Sequence, residues 1–417
     1  MGRHSTPPRP TATSWTLPQK VLAVALLLTA CATVAGLVAQ WPRGPLPEVS
    51  DSFQAQTAMN GPLVDATVAS TRSGPCSTTE QGKVITTPPV ALTGGDCTLA
   101  VVDINEGPDA GKQALLVTYP DVAGNPHLAQ GERIVLARTD SSGSDGAAIY
   151  TFQDFQRDRA MWVWCLVALA LIVLVGGLRG ALSLIGLAAT LGVVLVFLLP
   201  ALIRGGDAVS LALTTSAAVL LAVQFLVHGV NWKTASAMGG TLLAVGLSGW
   251  LSHAAVASTS IRGLGDEHNL SILLYLPSVD ISGLMLAGMI IGALGVLVDV
   301  TIGQASTVNE LYETRPQASP WQVFVSAMRV GHDHIASIVY TLVLSYTGVA
   351  LPTLLLLTLS DRPIGQVLTS DIMATEILRS VTGAIALVLA VPLTTGVAAI
   401  TVAPPRPPQS AGEGARA

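Results

Sequence analysis

Eight long apolar runs punctuate the chain: Val21 to Ala39, Met161 to Gly177, Ala181 to Ile203, Val209 to Val227, Thr234 to Val256, Ile281 to Ile302, Ile335 to Leu357 and Ile377 to Val402. Each is close to the ~20 residues that cross a bilayer as a helix. Only Gly177 to Gly180 separates the second run from the third, and fused they would be too long even for a tilted helix. Between the first run and the second the pattern changes to short apolar stretches, VITTPPVAL, CTLAVVDI, QALLVTY and RIVLAR, divided by Gly, Pro, Asn and Asp. That pattern predicts short strands joined by turns, with the Ser/Gly-rich SSGSDGAA as a loop. The fold class is therefore a membrane all-α bundle of about eight helices carrying a small β domain, for which a small barrel of the OB type fits best.

Basic residues orient the spans. Arg3, Arg9, Lys20, Arg179, Lys233, Arg315, Arg329, Arg406 and Arg416 fall on one side, while the opposite short loops mix Arg204, Arg262, Arg362 and Arg379 with several acids. This predicts a multipass protein of the cell membrane with both termini cytoplasmic. Its segments are a tail over 1–20, the first span over 21–39, an extracytoplasmic β-rich domain over 40–159, a seven-helix membrane domain over 160–403 and a tail over 404–417. Within the membrane domain, SPWQVFVSAMRVG has Ser319 to cap, Pro320 for the first helical position and Gln322 to complete a capping box. Trp321, Phe324, Val325 and Met328 share a face, so a helix lying along the cytoplasmic surface is expected over 320–331. Leu28 to Cys31 resembles a lipoprotein cleavage box, but the apolar run continues past Cys31, which favours an intact helix.

Composition agrees with the pattern. Half of the 417 residues are hydrophobic and only 11% are charged, which suits a polytopic membrane protein better than a soluble enzyme. With a formal net charge of -5 and no Lys/Arg block, nucleic acid is not expected as a partner, and the lipid bilayer is. Cys31 and Cys165 lie in apolar runs as packing residues. Cys76 and Cys97 lie in the polar region, where a disulfide is expected if that region is outside the cytosol.

The candidate chemistry centres on Asp299, a carboxylate inside the run GALGVLVDVTIGQAS. Such a group costs about 2.5 to 3.5 kcal/mol at the middle of a membrane helix, and intramembrane carboxylates are functional by default. Gly288, Gly292 and Gly295 precede it at i+4 and i+3 steps, so Asp299 is expected to face a close-packed neighbour. The next helix offers a polar line of Ser337, Thr341, Ser345 and Gly348. Asp299, Gln304, Ser306, Thr341 and Ser345 are thus the candidates for binding a substrate or ion, with a structural interhelical hydrogen bond the alternative for Asp299. Pro352 and Pro392 are expected to free the carbonyls of Gly348 and Val388, the latter within reach of Thr394 and Thr395. Glu376 with Arg379 and Ser380 makes a second polar cluster, read as an ion pair at the membrane boundary. His332, Asp333 and His334 have metal-ligating side chains, but residues two apart do not share a helical face.

A resemblance gathers these blocks. GALGVLVDVTIGQAS, then VGHDHIASIVYTLVLSYTGVALPTLLLL, then TEILRSVTGAIALVLAVPLTT, together with YTFQDFQRDRAMW, resemble the YibE/F-like family of bacterial membrane proteins over about 150–403. The resemblance implies a multipass membrane protein, carries no enzyme signature and assigns no activity. Asp299 matches the family block, whereas His332 and His334 depart from it. A permease or exporter of a small solute or ion is the first expectation. A non-transporting membrane scaffold or sensor with an extracytoplasmic binding domain comes second, and an intramembrane metal-dependent hydrolase third. No H-E-x-x-H or G-x-S-x-G element supports the hydrolase, so an enzyme is not the expectation and no cofactor is called for. Solute, coupling ion and direction are not written in the pattern, and the Gly stripe would serve a homo-oligomer as readily as an internal contact.

Overall fold

A computed structural model describes residues 15–45, 47, 61–85, 96–119, 122–140, 148–265, 267–359 and 362–402. Most of both tails, the latter part of VITTPPVAL and all but the last residue of SSGSDGAA lie outside the described residues. The chain divides into two compact units, Val49–Ile172 and the combination of Met1–Glu48 with Val173–Ala417.

The first unit is built on six antiparallel strands: β1 (Leu63–Gly74), β2 (Val84–Ile85), β3 (Cys97–Ile104), β4 (Gln113–Thr118), β5 (Arg133–Asp140) and β6 (Ala148–Phe155), in the order β2-β4-β3-β1-β5-β6. On β1, buried Val64, Ala66 and Val68 alternate with more open positions, as a strand with one inner face requires. β3 reads as a continuous apolar run because both its faces are covered. Ala100, Val102 and Ile104 join the inner core, while Leu99 and Val101 pack with Ile85 and Leu115 on the other side. Extra residues in β1, at Ala69, and in β6, at Gln153, shift the register and help curl the sheet into a half-barrel. Its ends approach through a Lys83 to Ile149 bridge and a 2.7 Å bond from the Tyr150 amide to the Gly82 carbonyl. Gly82 has a φ of 76°, and a Cβ there would press on Ile149 and the Tyr150 carbonyl. Cys76 and Cys97 are joined by a disulfide that ties the loop after β1 to the start of β3.

Inside this unit the Tyr150 phenol donates to Asp109 at 2.7 Å, and Asp109 also accepts from Lys112 at 2.8 Å. Burial, followed by the bond to Asp109, pushes the phenol up to about 12. The bonds from Lys112 and Tyr150 hold the Asp109 carboxyl below its ordinary range.

The second unit is helical. Helix α1 (Leu17–Ala39) begins with a capping box between Thr16 and Gln19. Helix α2 (Asp158–Val193), which begins in the first unit, continues through a π-turn over Val194–Leu198 into α3 (Leu199–Ile203). There follow α4 (Ala208–His228), α5 (Trp232–Thr259), α6 (Glu267–Tyr275), α7 (Ile281–Thr314), α8 (Pro320–Val349), α9 (Leu351–Thr358), α10 (Ile364–Leu368) and α11 (Asp371–Thr401). Side chains set the starts: Asp207 accepts from Ser210 N–H, Asn231 from Thr234 N–H, and Asp280 from Ser282 and Gly283 N–H. Central α5 packs on α4, α7 and α11, and its buried face is rich in small residues such as Ala237, Gly239, Gly240 and Ala244.

Among the described residues six helices are long and apolar enough to cross a membrane, or seven if α8 and α9 form one span. The sequence count of eight differs because Asp158–Ile203 counts here as one 46-residue stretch, although it joins two helices across a kink. Gly177 interrupts it with φ 57° and ψ -140°, at the point where the sequence separates two runs. The expected surface helix over 320–331 is not a separate element but the opening of α8. Its capping box is present, and Gly331 carries the helix onward because it lies buried against Val391 and Gln304. Between α8 and α9 the chain bends by 63°, and Pro352 takes an early position of α9, where a missing N–H costs nothing. Pro392, by contrast, does not break α11. Thr395 donates to the Val391 carbonyl and Thr394 makes no bond among the described residues, so neither serves the Val388 carbonyl as expected.

Candidate functional site

Helix α7 sorts the sequence candidates onto two faces. On one, Gly288, Gly292, Gly295 and Asp299 are all exposed, and a Cβ added at Gly288 or Gly295 would touch nothing within 4 Å. The expectation that this stripe packs closely is therefore corrected. Small residues permit a close neighbour without requiring one, and only Gly292 has a near contact, the Tyr346 hydroxyl at 3.1 Å from its would-be Cβ. Asp299 makes no hydrogen bond or ion pair among the described residues, although His228 is near enough to act on it electrostatically. A rise of ~1.5 Å per residue puts Asp299 about 28 Å along the helix from its Asp280 cap, close to the ~30 Å thickness of a hydrocarbon core. A span that opened at Asp280 would bring Asp299 near its far end, where headgroups and water begin.

On the opposite face lies Gln304, only 1% exposed, whose Nε2 donates to the Ala327 carbonyl at 3.0 Å and to Thr395 Oγ1 at 2.8 Å. The other candidates do not join it. Ser306 is half-buried, Ser345 is exposed, and exposed Thr341 donates to the Ser337 carbonyl of its own helix. His332, Asp333 and His334 are exposed on α8, and no group of three metal-ligating side chains forms among the described residues.

Sequence reading missed a buried polar seam. Gln224 of α4 donates to Thr241 of α5 at 3.4 Å, and the Thr241 hydroxyl lies 2.6 Å from that of Thr301 on α7. Both threonines also meet carbonyls of their own helices, Ala237 and Val298. Gln224 Oε1 has no partner among the described residues, nor do the buried hydroxyls of Thr215, Ser216, Ser248 and Thr394. Leu213 packs on Gly249 while Gln224 reaches Thr241, so the register of α4 on α5 sets Ser216 and Ser248 at one depth. Both lie on the stripes that meet at Gln224 and Thr241, spaced by whole turns. Farther along, Ser252 reaches Thr382 on α11 at 3.4 Å. The available signal was the run ASAMGGT in α5, too polar and too small for a lipid-facing surface.

A second polar cluster stands on α11. Arg379 Nη1 lies 3.0 Å from Glu376 Oε1, both side chains partly buried, beside a cavity of about 290 Å³ lined by Tyr346, Ala350, Leu354, Glu376 and Ser380. The cavity sits at the bend between α8 and α9.

A family model described as YibE/F-like protein matches residues 164–404. The chain belongs to that family. No curated protein and no solved structure matches the chain. In this YibE/F-like chain the match begins within α2 and takes in every helix after it, so YTFQDFQRDRAMW and strands β1 to β6 precede it. The family and the apolar helices point to a membrane protein.

Proposed function

We propose that the chain is a permease for a small polar solute, with its route along the seam between α4, α5 and α7. The carrying observation is the set of buried, unpartnered oxygens of Ser216, Gln224 and Ser248 beside the bonded Gln224, Thr241 and Thr301. Interiors rarely leave such groups unmatched, because each costs ~1–3 kcal/mol. A polar passenger satisfies them in transit. The bend between α8 and α9 supplies the discontinuous helix that transporters use near their sites. Reading Gly177 as the end of one span restores eight crossings, with the termini cytoplasmic and the β unit outside. Asp299 then marks the inner boundary.

Reconstitution into proteoliposomes tests this by osmotic swelling in glycerol, urea and glycine. At least one solute should enter much faster than into protein-free vesicles, and Thr241→Val should abolish the excess in a variant that elutes as a folded species. Swelling at the protein-free rate in all three solutes would overturn the permease reading.

One observation favours a sensor as the second reading. With short β2 set aside, the order β4-β3-β1-β5-β6 is the neighbour order of an OB barrel, a fold whose curved face commonly binds ligands. On that reading a partner binds the outer unit, and seam substitutions alter stability alone.

A further inference from the structure

We propose that the cavity where the end of α1 meets the turn between α3 and α4 binds a phosphate group through Arg43 and Arg204. The space, about 350 Å³, has Gln40, Trp41, Arg43, Arg204, Asp207 and Leu211 in its lining, so both arginines belong to its wall. Arg204 Nη2 donates to the Gly44 carbonyl at 2.9 Å, which brings it against the residue next to Arg43. The other bonds of the two side chains also go to backbone, from Arg204 Nη1 to the Pro200 carbonyl at 2.8 Å and from Arg43 Nη2 to the Val38 carbonyl at 3.1 Å. Neither guanidinium pairs with a carboxylate among the described residues. Asp207, the acid in the lining, accepts from Ser210 N–H as the cap of α4. Two guanidinium groups against one carboxylate leave the wall with one positive charge in excess. A phosphate diester carries the single negative charge that balances it, and the Nη hydrogens not spent on carbonyls match its oxygens.

Depth supports the choice of ligand. Helix α1 has 23 residues and α4 has 21. At ~1.5 Å per residue each is close to the ~30 Å of a hydrocarbon core. Gln40 to Arg43 follow the end of α1 and Asp207 precedes the start of α4, so the cavity lies just past the apolar length of both helices, where lipid phosphates stand. Gln40 Nε2 donates to Ser210 Oγ at 3.2 Å and pins the two helix ends together. Exposed Trp41 rests on Phe197 with ring centroids 5.9 Å apart, and tryptophan is enriched at that boundary. A free phosphate ion presents the same oxygens to the two arginines, and the experiment separates the two sources.

The proposal goes beyond the permease reading and needs no transport, so binding is measured on the intact chain in dodecyl maltoside, a detergent without phosphate. If the source is a lipid, native mass spectrometry should show phosphatidylglycerol retained and the matching diacylglycerol, which lacks the phosphate, lost. If the source is a free ion, radiolabelled inorganic phosphate should bind saturably. Either signal should fall about 10-fold or more in Arg204→Gln and in Arg43→Gln, as the loss of a charge-assisted hydrogen bond implies. Arg43 is exposed and bonds to a single carbonyl, so its variant keeps the fold. Arg262→Gln, which removes an exposed arginine from a turn that does not line the cavity, should leave the signal unchanged. Failure of both arms, retention of diacylglycerol equal to that of phosphatidylglycerol without phosphate binding, full binding by Arg43→Gln, or an equal loss in Arg262→Gln would overturn the site. None of these results bears on swelling in proteoliposomes.

Discussion

In the β unit the buried Tyr150 phenol is held by a carboxylate that also meets a lysine, whereas the buried polar side chains of the helical unit are threonine, serine and glutamine. The contrast follows from what each unit excludes. An aqueous domain can keep a charge at the edge of its core because water still reaches the carboxylate's other side. A bundle in hydrocarbon has no such outlet, so its interior polarity is neutral and its charges stand outside the packed core, as exposed Asp299 does, or in pairs, as Glu376 does. Hydroxyls bonded back to their own helix add polarity without demanding a particular neighbour.

The strongest test of that contrast is Gln304→Ala. It removes two bonds and leaves a void between α7, α8 and α11, so a loss of about 2–4 kcal/mol is expected in thermal or steric-trap unfolding. A loss under about 0.5 kcal/mol would mean that the neutral interior is not what holds these helices. Gly240→Ala should cost about 1–3 kcal/mol, since the new Cβ collides with Thr394 of α11. Cross-linking between α5 and α11 should weaken in parallel. Tyr150→Phe should cost about 1 kcal/mol in the β unit. The wild-type phenol is raised to about 12, so the stability tied to it is complete below the ordinary tyrosine value near 10 and drains away as pH rises from 10 toward 12. Hydrogen exchange of β6 should show that loss, and Tyr150→Phe should lack it. The smallest effect is expected for Asp299→Asn, within about 0.5 kcal/mol, as for an open surface position. A larger change would place Asp299 in a contact that the single chain does not make.

Much of this was legible in the chain, for reasons that also explain the failures. Long apolar runs mark helices because hydrocarbon leaves few alternatives, and Ser319 with Gln322 announced the start of α8. The continuation of α8 through GHDH was hidden. Polar residues at a helix surface look like a break when the buried partner of Gly331 is unknown. β1 escaped because ATVASTRSG has few large apolar residues, and its buried positions there are only Ala66, Val68 and Gly74. Most instructive is the Gly stripe of α7, since spacing gives the face and not what covers it. The seam was unreadable for the converse reason: Gln224, Thr241 and Thr301 are unremarkable one helix at a time, and only the register of three helices joins them.

The Gln19 side chain donates to the carbonyl of Thr401, while Leu22 and Leu26 pack with Ala235 and Met238. The helix that a ribosome would release early thus keeps one of its bonds for α11, the latest of the described helices to emerge. Insertion can proceed in order along the chain, but locking cannot. Until α11 is made, α1 is held by its apolar contacts and, at its far end, by the bond from Gln40 to Ser210, and a chain stopped before Thr401 would leave its start without a latch.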